Sequence, residues 1–162
     1  MPDQVRCCER RSAVLARWRK KPSWCILDSV AVETNPSVWP ELRCRDAKAL
    51  IKFLTNAFGF EETLVVEDAG IVHHAELRWP GCGGVMLGDE RAHSGDALHD
   101  QLPSGPTSIC VVCDDPDALF ERAAANGAEV LQGVKDKDYG SRDFLVRDPE
   151  GNVWTFGTYK GA

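Results

Sequence analysis

The chain has 162 residues, a mass of 17.9 kDa and a formal net charge of −6. Apolar residues make up 43% and charged residues 27% of the sequence, which excludes a disordered chain, a collagen-like fibre and a coiled coil. The apolar runs are short, and none approaches the roughly 20 residues that a membrane span needs. The length fits one domain or two small fused halves.

Charge is distributed unevenly along the chain. Residues 1–21 carry a net charge of +5, which leaves −11 on the remainder. We expect residues 1–36 to form a flexible N-terminal extension, since charged termini are commonly solvated; contact with nucleic acid or an anionic membrane is the alternative. The acidic remainder argues against nucleic acid as the main partner, because phosphate contacts need a basic face. We therefore expect no nucleic-acid and no membrane partner.

Seven cysteines, an odd number, occur in a sequence without the apolar run of an export signal. We expect reduced thiols and a cytoplasmic location. Cys110 and Cys113 have the spacing of a redox or zinc motif, but they lie in a run, residues 108–113, that has the pattern of a strand. Residues three apart on a strand point to opposite faces, so we interpret both as small apolar core thiols.

The predicted elements repeat along the chain. Each half begins with a strand-like run, followed by a helix with Asp at its start and Gly at its end: residues 38–44, Asp46 and Gly59, then residues 108–113, Asp115 and Gly127. Equivalent positions are 69 residues apart, as in Pro80 and Pro149, and the helix end slips by one residue. Each half then continues with three strands, the last two joined in a hairpin.

A Gly-rich turn at residues 81–84 joins two predicted strands. Because it opens no helix, it does not have the context of a phosphate-binding loop. Residues 89–106 are polar and rich in helix breakers. We expect them to form a mobile linker between a first module at about residues 37–90 and a second at about residues 107–159.

The second half ends with Tyr139-Gly-Ser-Arg-Asp-Phe-Leu-Val-Arg-Asp-Pro-Glu-Gly-Asn-Val-Trp-Thr-Phe-Gly157. Together with the repeat, this run resembles the vicinal oxygen chelate superfamily, which includes glyoxalase I, bleomycin-resistance proteins and extradiol dioxygenases. The resemblance covers about residues 37–159 and is closest to the PhnB-like or bleomycin-resistance-like branch. It implies an α+β fold of two βαβββ modules whose mixed sheets form a cup, with the helices on the convex side. It also implies a homodimer.

Metal-using members of that superfamily take ligands from the first and fourth strands of each module. The resemblance places Trp39, Met86, Ser108 and Thr155 at those positions. An indole donates only a hydrogen bond, a thioether is a soft donor, and neutral hydroxyls are poor ligands. We therefore predict neither a metal nor another cofactor.

Polar residues near these positions suggest a shifted site. Period-2 alternation puts Ala75 and Leu77 on the helix side of the sheet, and His74 and Glu76 on its open side. Asp143 faces the open side on the equivalent strand of the second half. The three polar residues could hold a metal, or they could form half-solvated pairs that contribute little energy.

We favour a metal-independent small-molecule-binding protein that resembles bleomycin-resistance proteins and sequesters a flat or aromatic compound. No catalytic residue is assigned. The predicted ligand contacts on the floor and wall of the cup are Trp39, His74, Glu76, Met86, Ser108, Cys110, Asp143 and Thr155. Two alternatives remain: a metal-dependent lyase, isomerase or dioxygenase with a shifted metal site, and a regulatory or partner-binding module.

Overall fold

The structure, a computed structural model, describes residues 37–92 and 104–161. The extension predicted at residues 1–36 and the central part of the predicted linker lie outside the described residues. Within them, the chain forms a strand, a helix and three strands, and then the same series again. None of the helices in these two ranges combines the length and the apolar character that crossing a membrane requires.

The two modules have the same architecture. The first contains β1 (Glu41–Cys44), α1 (Ala47–Phe53), β2 (Glu61–Asp68), β3 (Ile71–Arg78) and β4 (Gly84–Asp89). The second contains β5 (Ser108–Val112), α2 (Pro116–Ala125), β6 (Glu129–Asp136), β7 (Arg142–Arg147) and β8 (Val153–Gly157). Their four-stranded sheets have the orders β1-β4-β3-β2 and β5-β8-β7-β6, with β1/β4 and β5/β8 parallel and the other neighbours antiparallel. The predicted α+β class is confirmed.

Both helices begin in the same way. The side chain of Asp46 accepts a hydrogen bond from the backbone N–H of Ala49 at 2.9 Å. The side chain of Asp115 accepts one from the N–H of Ala118 at 3.0 Å. Each Asp therefore satisfies one of the N–H groups that the first helical turn leaves without a partner, as the sequence predicted.

The helix ends explain why the repeat slips by one residue. A π-helical turn, Leu54–Phe58, continues α1, and the N–H of Gly59 donates to the Leu54 carbonyl five residues earlier, at 3.0 Å. A π-helical turn accommodates one residue more than an α-helical turn. Gly59 and Gly127 then end their helices with φ of 90° and 87°, in the left-handed region that glycine adopts most easily.

The two predicted hairpins are confirmed. The N–H of Trp79 donates to the Gly83 carbonyl at 3.0 Å, and the N–H of Asp148 donates to the Asn152 carbonyl at the same distance. Both partners of the second bond lie 69 residues after those of the first. The duplication therefore extends to individual backbone hydrogen bonds.

One apolar core joins the helix-side faces of both sheets. The ring of Phe58, at the end of the π-helical turn, lies 5.3 Å from Trp154 and 4.8 Å from Phe156, measured between centroids. Those two rings belong to β8 and are fully buried. The first module's helix therefore packs on the second module's sheet as well as on its own.

Polar contacts from two side chains also join the modules. Arg122 on α2 donates to the carbonyls of Asn56 and Thr55, both at 2.8 Å, at the end of the first module's helix. Glu150, in the β7–β8 turn, accepts from the Arg45 side chain at 3.0 Å. These contacts connect opposite ends of the first helix to the second module.

Candidate functional site

The first module carries two of the predicted superfamily positions. Trp39 lies just before β1, and its Cζ3 atom is 2.6 Å from the point where a Cβ on Gly84 would stand. The missing side chain of Gly84 therefore lets the indole lie close against β4. Met86 lies on β4, beside Glu41 on one neighbouring strand and Glu76 on the other.

The second module carries the other two positions. Ser108 is the first residue of β5 and is exposed. Thr155 lies on β8 between Cys110 on β5 and Leu145 on β7. Each module thus gathers its own predicted residues on one sheet. The aromatic contacts between the modules run through the helix-side faces instead.

The predicted polar residues do not form a metal site. The Nε2 atom of His74 is 3.3 Å from the Oε1 atom of Glu76 on the first module's sheet. Asp143 belongs to the second module's sheet, where its carboxylate lies 3.1 Å from the Nζ atom of Lys137. In the part of the chain that the structure describes, no three His, Cys, Asp or Glu side chains are placed to hold a metal ion. Neither this cluster nor the four superfamily positions fits a hard divalent cation.

Asp143 is nearly fully buried, with its carboxylate satisfied inside its own module. It accepts hydrogen bonds from Gln132 and from the hydroxyl of Tyr139, both at 3.2 Å, and it pairs with Lys137. Desolvation, followed by the charge of Asp143 and its hydrogen bond, raises the pKa of Tyr139. A Cβ on Gly157 would lie 2.7 Å from the Cβ of Asp143, so glycine is what leaves room for this carboxylate.

A cleft of about 720 Å³ lies between the two modules. We call it the inter-module cleft. One wall consists of residues 79–85 and the chain just before β1, and the other wall is β5. Most of its lining side chains are apolar, among them Val38, Pro40, Phe60, Trp79, Val85, Ile109, Val111, Val112 and Trp154. Of the predicted ligand contacts, Cys110 lines the cleft, and Trp39 lies between two lining residues.

Trp79 lines the cleft together with the aromatic residues Phe60 and Trp154. Its indole N–H donates to the carbonyl of Val112 at 3.0 Å, and its ring is 5.2 Å from that of Phe60. Sequence reasoning missed Trp79 as a site residue. Its place two residues before the Gly-rich turn at residues 81–84 was a usable signal.

The cleft has little net charge. Its charged lining residues among those described are Asp114 and Lys160, whose Oδ1 and Nζ atoms lie 3.5 Å apart at the solvent-exposed rim. Apolar walls with few polar groups are typical of small-molecule sites, and the volume is within the usual range of roughly 300–1,000 Å³.

Three thiols also line the cleft, and they differ in exposure. Cys82 and Cys110 are exposed, so the interpretation of Cys110 as a core thiol is wrong. Cys113 is buried, and desolvation, reinforced by the charges of Asp114 and Asp115, raises its pKa to about 11. The opposite exposure of Cys110 and Cys113 agrees with their predicted positions on opposite faces of the strand.

Comparison with known proteins gives consistent results. The family model of the Glyoxalase/Bleomycin resistance protein/Dioxygenase superfamily matches residues 33–156. The uncharacterized protein Rv0887c of Mycobacterium tuberculosis (strain ATCC 25618 / H37Rv) is 34% identical over 134 residues, which cover 80% of this chain and 78% of that protein. TioX from Micromonospora sp. ML1 is 31% identical with a TM-score of 0.64, and the match covers 76% of this chain and 98% of TioX.

A glyoxalase/bleomycin resistance protein/dioxygenase family enzyme from Burkholderia phytofirmans PsJN shares the fold. Its TM-score is 0.58 at 20% identity, and the match covers 74% of this chain and 94% of that enzyme. The family match, the identity to the mycobacterial protein and the paired βαβββ modules agree. The chain belongs to the glyoxalase/bleomycin resistance protein/dioxygenase superfamily.

Proposed function

We propose that the chain is a metal-independent small-molecule-binding protein of the bleomycin-resistance-like type, which holds a flat or aromatic compound in the inter-module cleft. The observation that supports this proposal is the cleft itself, which has a volume of about 720 Å³ and a mainly apolar lining that includes Phe60, Trp79 and Trp154. Flat rings stack well against indole and phenyl faces. We further propose that the protein works in the cytoplasm as a homodimer.

The predicted contacts extend the proposed site from the cleft onto the open faces of the sheets. Trp39 and Met86 adjoin its first wall, and Ser108, Cys110 and Thr155 belong to β5 and its neighbour β8. His74 and Glu76 would orient a polar group of the ligand, whereas Asp143, which is buried and paired with Lys137, would have to give up that pair to do so. Trp39→Ala should weaken binding about tenfold while the fold survives, since ring stacking adds roughly 0.5–1.5 kcal/mol to burial.

A pair of matched variants tests the proposed location. N-phenyl-1-naphthylamine, a neutral aromatic probe, should bind saturably and quench tryptophan fluorescence. Val112→Glu places a carboxylate at the cleft and should weaken probe binding at least about tenfold. The bound probe would remove water from the charged group without offering it a hydrogen-bond partner. Val130→Glu, on β6 and outside the cleft lining, is the control, since the two valines are 42% and 45% exposed.

Equal probe binding by the two variants would show that the site lies elsewhere. If no compound in a screen of neutral aromatic molecules binds saturably, the small-molecule function is contradicted. Specific capture of one protein partner would then favour the regulatory or partner-binding alternative.

The contact between His74 and Glu76 keeps one enzymatic alternative testable. At 3.3 Å, these side chains supply two donors, and a second copy of the chain would have to supply a third. A metal-dependent lyase, isomerase or dioxygenase with this shifted site requires about one bound metal per chain that is lost in His74→Ala. Elemental analysis of protein purified without chelators separates this alternative from metal-independent binding.

A further inference from the structure

The outer edge of β5 forms part of the cleft wall. Among the described residues, β5 is the end strand of its sheet. The carbonyl of Thr107 accepts from Val153 and the N–H of Cys113 donates to Gly157, both at 2.9 Å, so these odd-numbered positions face β8. Because backbone groups alternate in direction along a strand, Cys110 and Val112 direct theirs away from β8.

The hydrogen bond from Trp79 shows that this edge faces the cleft. Its acceptor is the carbonyl of Val112, one of the outward-directed groups. Cys110 is the next outward-directed residue along the strand and also lines the cleft. Its N–H and its carbonyl therefore lie along the same edge, beside apolar walls.

These backbone groups restrict which ligand suits the cleft. A purely hydrocarbon ligand would remove water from the N–H and carbonyl of Cys110 without replacing the hydrogen bonds to that water, and each group left without a partner weakens binding. An amide in the ligand offers one acceptor and one donor, as an added strand does at a sheet edge. Because Asp114 and Lys160 largely cancel at the rim, the walls favour a neutral molecule.

We propose that the ligand of the inter-module cleft is a neutral, peptide-like compound with apolar or aromatic groups, which lies extended along β5 and pairs an amide with the backbone of Cys110. This inference rests on the proposed small-molecule function and specifies its ligand class. The apolar groups of the ligand would contact Phe60, Trp79 and Ile109, which line the cleft.

Two matched probes test the amide pairing on the full chain. One is N-acetyl-phenylalanyl-leucine methylamide, and the other is its ester counterpart, in which oxygen replaces the central N–H. We expect the amide to bind about tenfold more tightly by calorimetry, the difference that one well-formed hydrogen bond makes. If N-phenyl-1-naphthylamine binds but amide and ester bind equally, the ligand class is wrong and the proposed function stands. If none of the three binds, both are contradicted.

A second test removes the donor on the protein. Cys110→Pro deletes an outward-directed N–H and no bond to β8, at a position where an edge strand tolerates proline. The amide probe pairs through its carbonyl with this N–H, so its affinity should fall about tenfold relative to Cys110→Ala, which keeps the group. Binding of the naphthylamine probe should be the same in the two variants, which checks that the cleft is intact. Equal amide affinity would overturn the inference; if Cys110→Pro fails to fold, the amide-to-ester comparison on the unmodified chain decides alone.

Discussion

Glu150 secures the start of the first module's helix from the second module. Its carboxylate accepts hydrogen bonds from the side chain of Arg45 and from the backbone N–H groups of Arg45 and Asp46, at 3.0 to 3.1 Å. Desolvation by itself would raise the pKa of Glu150, but these hydrogen bonds and the charge of Arg45 outweigh it and lower that pKa below 4.5. A carboxyl group with a lowered pKa contributes stability above its unfolded-state pKa, and the contribution is lost as the pH falls through its folded-state pKa.

Glu150→Gln should therefore reduce the acid sensitivity of the fold. In urea unfolding, the free energy of unfolding of the unchanged protein should fall more steeply as the pH drops below about 4.5 than that of the variant. At neutral pH the variant should be the less stable of the two, because it lacks the charged partner of Arg45. Glu121→Gln, an exposed change on α2, is the control with unchanged pH dependence. Identical acid profiles for Glu150→Gln and the unchanged chain would contradict this account.

The strand period predicted which side chains face the core but not their polar partners. Ala75 and Leu77 are buried and His74 and Glu76 are part-buried, as alternation requires. Asp143 also faces the open side, yet it is 3% exposed because Lys137 and its neighbours cover it. The burial of Asp143 depends on how the segment between β6 and β7 folds over its carboxylate. The alternation of side chains along a strand gives no information about that segment.

At the scale of the strands, Gly157 sets how closely β7 and β8 approach. It lies opposite Asp143, and a Cβ there would stand 2.7 Å from the Asp143 Cβ and 3.1 Å from the Ser141 hydroxyl. Gly157→Ala should therefore lower the free energy of unfolding by about 1–3 kcal/mol, as overpacking of a filled site does. Gly133→Ala, on β6, has no atom within 4 Å of the added carbon and is the control. Equal stability of the two variants in urea would show that β7 can shift to make room.

Helix ends show a similar limit of sequence reasoning. The sequence predicted both helices, their Asp caps and the one-residue slip of the repeat. It did not reveal that a π-helical turn absorbs the extra residue at Leu54–Phe58. The turn sits where Phe58 packs against Trp154 of the other module, so its cause is a contact distant in sequence, which local propensity does not report.

For the whole molecule, the exposed outer strand β2 favours the proposed homodimer. Leu64 and Val66 on this edge strand are 44% and 46% exposed, and exposed apolar edge strands tend to pair with another chain. Light scattering should give a mass of about twice 17.9 kDa. Val66→Lys should shift the protein towards the monomer, since lysine on an edge opposes strand pairing; Ala124→Lys on α2 is the control. A mass of one chain at micromolar concentration would contradict the homodimer.

The duplication made most of this fold predictable, whereas the cleft was not. Strand order, hairpins and caps follow from residues close in sequence and from the repetition of the pattern 69 residues later. The inter-module cleft arises where Trp79 of one module meets Val112 of the other, 33 residues later. Such a contact depends on how the two modules pack, and the repeat describes each module separately.

The hydrogen bonds that Arg122 and Glu150 make between the modules prevent the two halves of the chain from being interchanged. Arg122, which holds the end of the first helix, has Phe53 as its equivalent 69 residues earlier, and Glu150 has Gly81. A pair of first modules would contain neither the guanidinium of Arg122 nor the carboxylate of Glu150. A pair of second modules would have Asp114 at the position of Arg45. The two modules therefore share a fold but carry different contact residues, and those of one module are complementary to those of the other. Any assembly that exchanges modules between copies of this chain must still pair a first module with a second.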